Sequence, residues 1–120
     1  GATFRAQAPT RVLDTRIGVG AKKAKVGAGS AITVTIPGLP AGTTAVVLNV
    51  TATGPTASSY ATVYPGGQAK PTASNLNYLK GQTVPNMVTV SVGAGGTVNL
   101  ANAFGTVDFI ADLAGAYIAP

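Results

Sequence analysis

At 120 residues the chain has the length of one ordinary domain, and it contains no Cys, His, Trp or Glu. That composition excludes imidazole bases, thiolate nucleophiles and soft-ligand zinc or copper sites, so neither metal nor cofactor is expected. Eight basic residues against Asp14, Asp108 and Asp112 give a net charge of +5, but charged residues make up only 9% of the chain, too sparse a stripe for nucleic acid, and no apolar run approaches the roughly 18 residues of a membrane span.

In chain order, the first feature is PTRVLDTR at 9–16, which places Asp14 between Arg11 and Arg16. Lys22, Lys23 and Lys25 follow and read as a solvated loop. AITVTI at 31–36 alternates Ile32, Val34 and Ile36 with Thr33 and Thr35, the two-residue period of a half-buried strand. PGLPAG at 37–42 is a turn, and AVVLNV at 45–50 a further apolar strand. The loop GPTASS leads into a strand from Tyr60, closed by PGG at 65–67. MVTVSV at 87–92 repeats the alternation through Val88, Val90 and Val92, GAGG at 93–96 turns the chain, and FIADLAGAYI at 109–118 is the last apolar run, with Phe109 in the core. Nowhere does a 3.6-residue period persist long enough for a helix. The fold is expected to be all-β, a β-sandwich or small barrel of eight to ten short strands.

The chain also resembles itself. ATF at 2–4 matches ATV at 61–63, QAPT at 7–10 matches QAKPT at 68–72, and LDTRIG at 13–18 matches LNYLKG at 76–81. In the same order, ITVTI at 32–36 matches VTVSV at 88–92, and GTTAVVLN at 42–49 matches GTVDFIAD at 105–112. We read one domain over residues 1–120, built from two sequence-related halves near 2–54 and 61–117. Each half is too small to bury two sheet faces, so both should share one core.

These matches set Asp14 beside Asn77 and Asn49 beside Asp112, each directly after an apolar residue. A carboxylate at Asp112, inside an apolar run, must find cationic or N–H partners or face water. Arg11 and Arg16 are the candidates for planar, bidentate bridges to Asp14 or Asp112. In a regular strand Arg11 and Arg16 point to opposite faces, so both serve one carboxylate only if a bulge intervenes. The competing use is a saccharide site, where Asp and Asn accept from hydroxyls and an aromatic ring covers the C–H face of the sugar. Flat surfaces are available at Tyr60, Tyr64, Tyr78 and Tyr117, with Phe4 and Phe104 besides. Asp108 and Asp112 would stand on one strand face about 13 Å apart, too far for either glycosidase geometry, and hydrolysis is not expected. The Asn49-Val50-Thr51 glycosylation pattern lies inside a strand and reads as accidental.

Taken together, PTRVLDTR, AVVLNVTAT, YATVYPGG, PTASNLNYLKGQTVPN and VDFIADLAGAY resemble a repeat domain of exported actinobacterial proteins, often appended to hydrolases. The chain is similar over nearly its whole length to the accessory domain of some bacterial α-1,3-glucanases. The resemblance implies a secreted, non-catalytic β-sandwich that binds α-glucan and has an appended catalytic domain as its neighbour. The positions that fit the recurring pattern are Arg11, Asp14, Arg16, Asn49, Tyr64, Asn75, Asn77, Asn86, Asp112 and Tyr117; Tyr60 and Tyr78 join them as ring surfaces. The expected function is a carbohydrate-binding module for α-1,3-glucan or a related cell-wall polysaccharide, extracellular or wall-associated, with no nucleic-acid or membrane partner. Related sites in the two halves would add avidity on a repeating polymer. The alternative is a ligand-free spacer or surface-display domain, in which the Arg, Asp and Asn set is wholly engaged in internal bridges.

Overall fold

The computed structural model describes all 120 residues and contains eight strands and no helix. In chain order these are β1 (Thr3–Asp14), β2 (Ser30–Thr35), β3 (Thr43–Thr53), β4 (Ser59–Pro65), β5 (Leu76–Tyr78), β6 (Val84–Ser91), β7 (Thr97–Asn102) and β8 (Asp108–Ile118). They form two four-stranded antiparallel sheets, ordered β1-β8-β3-β6 and β2-β7-β4-β5. The protein is thus an all-β sandwich.

Alternation decides which side of each strand is dry. Val46, Leu48, Val50 and Ala52 of β3 point inward with Val88 and Val90 of β6, while Val34 of β2 and Val98 and Leu100 of β7 answer from the other sheet. One cluster of 22 buried residues draws on all eight strands and includes Phe109, which has no exposed surface. At about 25 cal/mol per Å² of apolar surface removed from water, a core common to both sheets is the main term holding them face to face. The bridge between Val26 and Val107 closes one end of it.

The matched blocks lie in different relations to one another. GTTAVVLN and GTVDFIAD enter β3 and β8, which are neighbours, with Asn49 directly across from Asp112. ITVTI enters β2 of the second sheet, whereas VTVSV enters β6 of the first. The strand order of the first sheet reads the same if β1 is exchanged with β6 and β8 with β3, and β2 then exchanges with its neighbour β7. The two-fold pattern of the topology therefore sets β1–β3 against β6–β8, with β4 and β5 added at one edge. It pairs β2 with β7, not with the β6 that the sequence blocks match.

Two irregularities position side chains. The pairing of β1 with β8 shifts between Arg11 and Leu13, and that of β3 with β8 shifts between Val47 and Leu48. The second shift leaves Gly115 facing outward, where the Phe4 ring lies across it. A Cβ at Gly115 would come within 2.5 Å of that ring and 2.9 Å of the Arg5 carbonyl oxygen, so only glycine lets the ring lie down.

Candidate functional site

The polar side chains of the first sheet engage one another. Asp14 at the end of β1 is fully buried, and its Oδ1 accepts from Arg16 N at 3.1 Å and Arg16 Nε at 3.0 Å. Its Oδ2 accepts from the Arg16 guanidinium at 2.9 Å and from Arg11 at 3.4 Å. Arg11 reaches across to β8 as well, where its Nε lies 3.0 Å from Asp112 Oδ1. The shift between Arg11 and Leu13 is a bulge that puts Arg11 on the side of Asp14, and the turn after β1 folds Arg16 back onto the same carboxylate. Hydrogen bonding from Arg16 holds the Asp14 carboxyl below its ordinary value of 3.8, against the opposing effect of burial. The third carboxylate, Asp108, accepts from Thr15 Oγ1 at 2.8 Å and Lys25 Nζ at 3.0 Å. Lys25 is thus tied down, while Lys22 and Lys23 stay exposed.

The second sheet is built differently on its outer side. Ala61 and Val63 of β4 point into the core, which puts Tyr60, Thr62 and Tyr64 on the opposite face, where Tyr60 is half-buried and Thr62 and Tyr64 are buried, Tyr64 at 7% exposure. Beside Thr62 stand the small residues Ala101 of β7 and Ala31 of β2, while Tyr64 lies across from Asn99, whose Oδ1 accepts from Thr33 Oγ1 at 2.7 Å. Aromatic rings at both ends of a floor of alanines and glycine make a groove of about 370 Å³, within the range of small-ligand sites. Tyr60 and Tyr64, four residues apart on one strand face, are separated by about 13 Å of backbone. Phe104, 58% exposed, meets Tyr60 edge to face with centroids 6.1 Å apart and extends the wall. Tyr60 and Lys70 also border an adjoining depression of about 230 Å³ along Thr72, Ala73 and Ser74, so the furrow continues past them. A larger hollow of about 500 Å³ lies between the Leu39 and Gly93–Gly96 turns, but it has no aromatic or charged side chain to orient a ligand.

The groove wall is held from beneath by Asn102, which is fully buried. Its Nδ2 donates to the carbonyls of Phe104 at 3.1 Å and Gly105 at 2.9 Å, and its Oδ1 accepts from Tyr78 Oη at 2.7 Å and Ser59 Oγ at 3.1 Å. Ser59 Oγ accepts in turn from Phe104 N at 2.8 Å. One amide thereby fixes the turn that carries Phe104, the residue next to Tyr60, and the Tyr78 ring. Burial pushes the Tyr78 phenol above its ordinary value.

Of the twelve residues singled out from the sequence, the structure brings Tyr60 and Tyr64 together in the groove. Asn77 is exposed across from Tyr60 at the β4–β5 edge, beside a hollow of about 350 Å³. The remaining nine lie elsewhere. Arg11, Asp14, Arg16 and Asp112 form the ion cluster. Asn75 Oδ1 accepts from Val63 N at 2.7 Å, and Asn86 Nδ2 donates to the Asn75 carbonyl at 2.7 Å, so both fasten the β4–β5 connection. Tyr78 is core, at 3% exposure. Tyr117 packs on Phe4 with centroids 5.0 Å apart, and Asn49 stands half-buried between Asp112 and Met87. The block match sets Arg5 at the position of Tyr64, so the first half has no counterpart to the tyrosine pair.

Lys70 and Asn102 were not singled out, and Phe104 figured only as one ring among several. The alternation of Val98, Leu100 and Asn102 in β7 was the available signal for an inward amide. Chemically, the groove offers flat faces for the C–H side of a ring, two phenols and one ammonium. Set against known proteins, the chain matches no family model and no curated protein.

Proposed function

We propose that the protein is a non-catalytic carbohydrate-binding module whose groove on the outer face of the second sheet holds a polysaccharide. The observation that carries this reading is the pairing of the open Tyr60 and Phe104 rings with a floor of small residues, closed at the far end by the mostly buried Tyr64, a shape and chemistry suited to a pyranose ring lying against aromatic faces. The absence of any carboxylate from the groove lining favours holding over hydrolysis. The motif resemblance favours α-1,3-glucan or a related cell-wall polysaccharide, an extracellular or wall location, and a neighbouring hydrolase kept at high local concentration on its substrate. Retention on insoluble α-1,3-glucan, with cellulose and chitin as controls, tests it: the protein is retained above an unrelated β-sandwich, and Tyr60→Ala is not. Equal retention of all three proteins would remove the reading.

A second reading is a ligand-free spacer, favoured by the engagement of Arg11, Asp14, Arg16 and Asp112 with one another. On that reading Arg16→Ala lowers stability and there is no binding to lose.

A further inference from the structure

Charge is distributed unevenly between the paired and unpaired groups of this protein. All three carboxylates are bridged, Asp14 by Arg11 and Arg16, Asp112 by Arg11, and Asp108 by Lys25. Five basic side chains, Arg5, Lys22, Lys23, Lys70 and Lys80, have no carboxylate within 4.0 Å. The unpaired charge at the surface is therefore entirely positive, and one of the five, Lys70, borders both parts of the furrow beside Tyr60.

The charge of the furrow itself is equally one-sided. Thr62 Oγ1 already donates to the Ala73 carbonyl at 2.6 Å, and the Asn102 amide is fully engaged. The phenols of Tyr60 and Tyr64, the hydroxyls of Thr72 and Ser74 and the Lys70 ammonium remain; the hydroxyls both donate and accept, whereas the ammonium only donates. Those hydroxyls can serve a neutral sugar, but the ammonium, with no carboxylate beside it, gains most from a charged acceptor. A ring bearing an anionic substituent matches it better: the ring lies on the tyrosines while its anion accepts a charge-assisted hydrogen bond from Lys70.

Resting on the carbohydrate-binding reading, we propose that the groove selects an anionic polysaccharide, with Lys70 pairing to a carboxylate or sulfate carried on the sugar ring. The test is affinity electrophoresis of the whole protein through gels containing polygalacturonate, its fully methyl-esterified form, dextran sulfate or a soluble neutral α-glucan. Polygalacturonate or dextran sulfate retards the protein, and which of them retards it more identifies the anion. Lys70→Gln weakens that retardation about twofold to fivefold, the scale of one exposed ion pair at a binding surface. Lys23→Gln, an equal loss of charge away from the groove, leaves it unchanged. Equal weakening by Lys23→Gln reduces the effect to diffuse attraction and overturns the proposal. Retardation by the neutral or esterified polymer equal to that by the acid, abolished by Tyr60→Ala and untouched by Lys70→Gln, overturns it too while leaving the carbohydrate reading standing. No retardation by any of the four polymers overturns the anionic proposal, and the carbohydrate reading then stands or falls with retention on insoluble α-1,3-glucan.

Discussion

The two outer faces of the sandwich differ in what their polar groups are bonded to. On the first sheet a row runs from Arg11 through Asp112 to Asn49 and Met87, and its charged members hold one another across the strands. On the second sheet Thr33 and Asn99 are likewise bonded to each other beside Tyr64, but next to them the surface has alanines and a threonine in the middle and unpaired phenols and an ammonium at the rim. The comparison teaches that hydrogen-bonding residues concentrated on a face do not make a site. Mutual satisfaction closes the first face, whereas small neighbours and unanswered donors leave the second open.

The largest effect separating the faces should come from the ion cluster. Asp14→Ala removes the buried acceptor of two arginines and is expected to cost about 3 kcal/mol, read by urea unfolding, with polysaccharide retention of the folded protein unchanged. Loss of retention without loss of stability would break the comparison. Asn102→Ala strands the buried Tyr78 hydroxyl and frees the turn bearing Phe104, so it should cost about 2 kcal/mol and weaken retention as well. Tyr60→Ala is expected to change stability by less than about 1 kcal/mol while lowering retention about tenfold, the reverse of Asp14→Ala.

The smallest effect is a pH dependence. The Asp14 carboxyl is held below its ordinary value of 3.8 in the folded state, so its stabilisation is complete above that pH and is lost as pH falls through the lowered folded value. Unfolding followed through this acid range should show a slope in the wild type that Asp14→Asn flattens. An unchanged slope would move the source of acid sensitivity elsewhere.

The sandwich was legible in the sequence because Ile32, Val34 and Ile36, like Val88 and Val90, alternate with polar residues in strands that have one wet face. The ion cluster was legible as a conditional, since PTRVLDTR brings two arginines near one aspartate, but the bulge in β1 is what puts Arg11 on the side of Asp14 and the turn after Asp14 is what folds Arg16 back onto it. The groove was less so. YATVYP is apolar or aromatic on both faces, so period alone does not say that Ala61 and Val63 go in while Tyr60 and Tyr64 go out. Asn102 bonds groups from residues 59, 78, 104 and 105, partners that only the folded strand order assembles.

With every aspartate locked in a bridge and no histidine in the chain, no side chain has an ordinary pKa between about 5 and 8. The electrostatic character of the surface is consequently constant across that span. On the proposed carbohydrate-binding reading, a change of pH within that span would leave the hold on a polymer as it was, and release would be governed by ionic strength, by competing chains, or by cleavage of the polymer itself.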